Sequence, residues 1–150
     1  MYTFAHWNTC LTFLAMSKLL NISEPFSIAL HSLVLIASRE KLITILEISE
    51  ITHASKNHIA KIMQLLVKHN FLKSFRGPSG GFELAKKAED IKLMDIYQVT
   101  DGTISTYNCD LHQKGCSRIN CVFGGFQKKF ALEFSDYLNN NTINDLIIKK

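Results

Sequence analysis

The sequence predicts a mainly α-helical fold with one small β-hairpin: a winged helix-turn-helix continued into a long C-terminal dimerisation helix. Three observations predict it. Two short helices, each opened by a hydroxyl cap, follow one another between Thr44 and His69. Directly after them, the turn Arg76-Gly77-Pro78-Ser79-Gly80-Gly81 separates two strand-like runs. Near the end, Phe123, Phe126, Phe130, Phe134 and Tyr137 recur close to heptad spacing.

The 150 residues suffice for one globular domain, or a small domain with a docked extension. With 47% hydrophobic and 20% charged residues the composition is that of a soluble protein with material for a core. No apolar run reaches the ~20 residues of a membrane-spanning helix, and a cytoplasmic protein is expected. There is no Ser/His/Asp grouping, phosphate loop or paired carboxylate set, so the sequence reads as a non-enzyme. The net charge is +4, unevenly placed. Residues 16–88 hold ten Lys or Arg against five Asp or Glu, whereas residues 89–150 hold seven against eight. The basic half is the one expected to meet a phosphate backbone.

The elements follow in order. Met1–Ala15 is apolar and aromatic without the positive start of a secretion signal, and Met16 opens a stretch that reads as a natural start. Residues 1–15 are therefore either an extension from an upstream start or a real helix. Ser23 caps a helix with Pro25 in its first turn and Phe26, Leu30, Leu33, Val34 and Ala37 at helical spacing, closed by Arg39-Glu40-Lys41. Thr44 and Glu47 form a capping box for a short helix with Ile45, Ile48 and Ile51 inward, ending near Thr52-His53-Ala54. Ser55 caps a third helix, Lys56 to His69, with Ile59, Ile62, Met63 and Leu66 inward, and Asn70 suits the left-handed residue that ends it. This pair is a helix-turn-helix pattern.

Phe71–Phe75 and Phe82-Glu83-Leu84 form the hairpin. Its tip offers Arg76 among residues without bulk, which suits close approach to a DNA backbone or minor groove. Leu93, Ile96, Tyr97 and Val99 suggest a helix ending at Asp101-Gly102, followed by a polar loop to Asn120. Cys121 stands at the start of the long aromatic helix. So aromatic a stripe has to be buried, against a partner helix across a two-fold axis or against the chain's own first helix. Thr142 and Asp145 cap a last short helix ending at Lys149-Lys150.

Four cysteines do not form a disulfide framework. Cys10 stands apart, and Cys109, Cys116 and Cys121 make an odd local group, Cys-x6-Cys-x4-Cys, which points to metal or redox chemistry in a reducing compartment. Soft thiolates favour an iron–sulfur cluster, zinc or copper(I), and the spacing lacks the paired C-x2-C of a zinc ribbon.

From Met16 to Ile147 the chain resembles the IscR/NsrR-type winged-helix regulators. The wing Ser74–Leu84, the cysteine group after Asp101-Gly102, and the closing Phe134–Leu146 segment carry the resemblance. The run Ser55-Lys56-Asn57-His58 with Lys61-Ile62 is similar to the nitric-oxide-sensing branch. The resemblance implies a homodimer crossed through the C-terminal helices, bound to a palindromic double-stranded DNA operator. It implies that Ser55, Lys56, Asn57, His58 and Lys61 face the major groove or its phosphates, and that Arg76, Gly77, Ser79 and Gly80 work at the wing. It further implies that Cys109, Cys116 and Cys121 hold a [2Fe–2S] or [4Fe–4S] cluster. In part of the family a His follows the third Cys by three residues, where this chain has Gly124. Others use a group from the partner's first helix, where Ser27 stands here. Glu24, His31, His112, a small thiol or water are the remaining candidates.

The expected organisation is an extension at 1–15, a DNA-binding domain at 16–88, and a cysteine loop with dimerisation helix at 89–150. The expected function is a repressor sensing nitric oxide, redox or iron–sulfur status. Its alternative is a winged-helix regulator with a metal-free thiol switch or structural zinc.

Overall fold

The computed structural model describes residues 22–77, 80–104 and 125–147. Helices α1 (Glu24–Ala37), α2 (Ile45–Thr52) and α3 (Lys56–Lys68) precede strands β1 (Leu72–Phe75) and β2 (Gly81–Leu84). A 3-10 turn (Ala88–Asp90), α4 (Leu93–Thr100), α5 (Phe126–Asn140) and α6 (Ile143–Leu146) follow. The mainly helical fold with one hairpin wing is the predicted one.

Each N-cap works as its chemistry requires. Ser23 Oγ accepts from the Phe26 N–H at 3.1 Å, and Pro25 occupies the first turn, where a missing N–H leaves no bond unmade. At α2, Thr44 Oγ1 accepts from the Glu47 N–H at 3.2 Å. In return Glu47 Oε2 accepts from the Thr44 N–H at 2.9 Å, completing the capping box. The inner faces of α1 and α3 meet in one core with α4: Phe26, Ala29, Leu33, Ile59, Met63, Leu66, Leu93 and Ile96 are all buried. Buried side chains of this size supply most of the folding free energy, roughly 1.5–3 kcal/mol each.

Two backbone pairings tie distant segments to this core. Ile43 and Phe82 exchange hydrogen bonds, so the wing's second strand is fastened to the chain entering α2. Lys92 pairs with Thr142: the Leu93 N–H donates to Asn141 O at 3.1 Å and the Ile143 N–H to Ile91 O at 2.9 Å. The end of α5 and all of α6 are thereby held on the head, with Leu138 and Ile143 in the common core.

Helix ends differ from the sequence expectation at two places, the ends of α1 and α6. Helix α1 stops at Ala37, and at its C-cap the Ser38 hydroxyl and N–H both donate to Val34 O. Arg39 and Lys41 turn instead to Glu47, at 3.6 and 3.5 Å. Helix α5 runs from Phe126, after Gly125 in a left-handed conformation (φ 77°), and Cys121, expected at the start of the long helix, lies outside the described residues. Helix α6 ends at Leu146, and Lys149-Lys150 also lie outside the described residues. Among the described residues no helix is long and apolar enough to cross a membrane.

Candidate nucleic-acid interface

Helices α2 and α3 are joined by three residues whose geometry their side chains enforce. His53 takes the left-handed conformation (φ 56°) and its N–H donates to Ser49 O at 2.9 Å. Ser49 Oγ donates to Ala54 O at 2.8 Å and Thr52 Oγ1 to Ile48 O at 2.8 Å, stapling the turn from both sides. Sequence reasoning ended the helix near Thr52-His53-Ala54 but did not foresee the left-handed residue there. The signal was present in a turn too short to reverse without a positive φ, where His is among the non-glycine residues that tolerate it.

The turn sets the angle at which α3 leaves, and the cap fixes its first turn. Ser55 Oγ accepts from the His58 N–H at 3.2 Å. Ile59, Ile62, Met63 and Leu66 are buried, so Ser55, Lys56, Asn57 and Lys61 fall on the exposed side of the helix, with His58 half-buried at its margin. All five sequence-predicted reading residues thus share the N-terminal end of one helix.

The wing follows. Asn70 (φ 63°) ends α3, and the Phe71 N–H bonds back to Leu66 O, so pairing starts at Leu72. The register is Leu72 with Leu84, Lys73 with Glu83, Ser74 with Phe82 and Phe75 with Gly81. At the tip Gly77 has φ 110°, and the Gly80 N–H donates to Gly77 O at 3.0 Å. A Cβ on Gly80 would lie 2.3 Å from Phe75 O, so only glycine closes this turn. Arg76 and Gly77 are exposed, whereas Pro78 and Ser79 lie outside the described residues.

The cations divide into two groups. Arg39 and Lys41 are paired with Glu47, and Lys73 with Glu83 at 3.6 Å. The Thr44 N–H holds the Glu47 carboxyl below the usual carboxylate range against the opposing effect of burial, helped by the Thr44 hydroxyl and Lys41. Among the described residues Lys56, Lys61 and Arg76 have no such carboxylate partner, so their charge is available to phosphates.

The sequence-predicted cluster ligands Cys109, Cys116 and Cys121 lie outside the described residues, as does His112. On α1, Glu24 is exposed and 3.4 Å from His58, Ser27 is half-buried, and His31 Nδ1 lies 2.7 Å from Ser27 O. Among the described residues no group of three or more His, Cys, Asp or Glu is placed to hold a metal ion.

A stapled helix-turn-helix, its second helix leading with unpaired cations, and a glycine-closed wing fastened beside it define a winged-helix DNA-binding protein. The profile of the Rrf2 family, described as an iron-dependent transcriptional regulator, matches residues 22–149. The chain belongs to that family, and it is a DNA-binding transcription regulator. It is 24% identical over 129 residues to the regulator IscR of Pectobacterium atrosepticum, covering 86% of this chain and 75% of that one. It is 22% identical over 127 residues to the regulator NsrR of Shouchella clausii, covering 83% and 85%. In structure it is similar to CymR, the global cysteine regulator of B. subtilis, with a TM-score of 0.69 at 20% identity over 83% of this chain and 94% of that one.

Proposed function

We propose that the protein is a homodimeric repressor whose DNA affinity follows the state of an iron–sulfur cluster held by Cys109, Cys116 and Cys121. The carrying observation is the thiolate triad itself, Cys-x6-Cys-x4-Cys, on a chain whose family is described as iron-dependent. Three thiolates within thirteen residues are a soft donor set that fits such a cluster. The relatives named IscR and NsrR support the same reading. Nitric oxide, redox state or iron–sulfur supply is the signal class.

Residues 16–88 form the DNA-binding part and residues 89–150 the sensing and dimerisation part of this cytoplasmic regulator. Ser55, Lys56, Asn57, His58 and Lys61 address the major groove of a palindromic operator, while Arg76, Gly77, Ser79 and Gly80 address the backbone beside it. Asn57 has the donor and acceptor for a bidentate contact to adenine, and Lys56 and Lys61 suit phosphates. The two half-sites lie about one helical turn apart, ~34–36 Å. A change at the cluster acts through the 103–120 loop on α5 and so on the spacing of the two α3 helices.

Anaerobic purification with a visible spectrum and counts of iron and acid-labile sulfide tests the cluster. Broad visible absorbance with bound sulfide, lost in a Cys109/Cys116/Cys121→Ala triple variant, is expected. A colourless protein without sulfide, even after reconstitution, contradicts it. Zinc content or a reversible thiol oxidation would then define a regulator with structural zinc or a metal-free thiol switch.

A further inference from the structure

The first turns of α1 and α3 meet at one polar contact: Glu24 Oε1 lies 3.4 Å from Nδ1 of His58. Both backbones beneath it are fixed. The His58 N–H is bound by Ser55 Oγ, and the Phe26 N–H two residues past Glu24 is bound by Ser23 Oγ. Phe26, two residues past Glu24, and Ile59, next to His58, are buried in the shared core. What stays adjustable at this point is the imidazole ring and the position of its proton.

A carboxylate has acceptors and no donor. Beside Nδ1 it favours the tautomer that carries the proton there, because a lone pair facing the anion is repelled. A neutral imidazole has one N–H, so Nε2 is left as an acceptor. Among the described residues no protein group is bonded to Nε2.

We infer that Glu24 is a positioning residue that makes His58 present Nε2 as a hydrogen-bond acceptor, so that His58 reads an exocyclic amine in the major groove. The matching groups are N6 of adenine and N4 of cytosine. The inference rests on the assignment of α3 as the reading helix and adds the base chemistry that one of its residues recognises. A solvent-exposed carboxylate–imidazole contact contributes little to stability, so its role in the fold is minor and Glu24 can be changed without unfolding the head.

The test uses the full chain. Selection from a pool of random duplexes gives the preferred site. Wild type, Glu24→Gln, Glu24→Ala and His58→Gln are then titrated, at about pH 8 where an ordinary imidazole is neutral, against that duplex and its single-base-pair variants. Glu24→Gln supplies an amide whose N–H2 can face Nδ1 and move the proton to Nε2. Its preference at one position should shift from A or C toward the acceptor-bearing G or T, by roughly three- to tenfold, the worth of one hydrogen bond. Glu24→Ala should flatten the preference there. His58→Gln, whose amide oxygen can still accept, should retain it. Identical base preferences in wild type and both Glu24 variants overturn the inference. So does a uniform loss of affinity for all duplexes with a lowered melting temperature, the mark of a structural role. If wild type selects no sequence at all, the DNA-binding reading fails first, and this inference with it.

Discussion

Helices α3 and α5 are of similar length, 13 and 15 residues, yet they are covered very differently. Ile59, Ile62, Met63 and Leu66 on the inner face of α3 are buried, Ala60, Leu65 and Val67 are half-buried, and the exposed residues are polar or cationic. Helix α5 buries Ala131 and Leu138 and half-buries Phe134, but leaves Phe126 68%, Leu132 47% and Tyr137 51% exposed. Its C-terminal end is locked to the head by the Lys92–Thr142 pairing. The described residues account for the pattern of α3, whereas α5 carries more apolar surface than the described residues bury. A second copy would cover that surplus in the proposed dimer.

The sharpest way to break this contrast is truncation on both helices. Leu66→Ala in α3 should cost about 2–5 kcal/mol, the usual loss for a fully buried leucine, read from urea unfolding. Leu132→Ala in α5 should leave chain stability within about 0.5 kcal/mol but raise the concentration at which the dimer dissociates in sedimentation. Equal costs for the two would dissolve the comparison.

The aromatic joint between α5 and the head comes next. Tyr97 sits between Phe26 and Phe134 in two edge-on contacts, with centroids 5.2 and 5.5 Å apart, and Phe130 stacks on Phe134 at 6.2 Å. Phe134→Ala should cost about 2 kcal/mol, below the range for a fully buried ring. A double-mutant cycle with Tyr97→Ala should return a coupling of about 0.5–1.5 kcal/mol. A coupling near zero would mean that α5 is held by its end alone.

Two smaller effects lie within the head. Ser32 on α1 is fully buried and its hydroxyl has no hydrogen-bond partner among the described residues, so Ser32→Ala should raise stability, by about 1 kcal/mol. Loss of stability instead would reveal an unseen partner for that oxygen. Thr44→Ala, which removes half of the capping box, should cost about 1 kcal/mol or less. Because the Glu47 carboxyl titrates lower in the folded chain, its contribution is complete above the ordinary carboxylate range. That contribution is lost as pH falls through the folded value, so acid should erase part of the difference between wild type and Glu47→Gln.

Much of this architecture was legible because its causes are local. Ser23, Thr44 with Glu47, and Ser55 cap helices within four residues, Asn70 ends one, and the wing's glycines announce their own turn. The Ile43–Phe82 and Lys92–Thr142 pairings left no trace, since isolated bridges between distant segments impose no periodicity on either. The left-handed turn at His53 lacked the glycine that usually marks it. The residues of α3 proposed to read DNA were named by resemblance and fall together at one helix end, whereas the contact of His58 with Glu24 needed the packing of α1 on α3 to appear.

The most direct test of the account is the salt dependence of DNA binding, measured by fluorescence anisotropy on the selected duplex for wild type, Lys61→Ala and Arg76→Ala. If the unpaired cations of α3 and the wing meet phosphates, each variant should bind more weakly to every sequence. The slope of log K against log salt should also become shallower, by about 1 for each phosphate contact removed. Affinity and slope unchanged in both variants would contradict the assignment of this face to DNA.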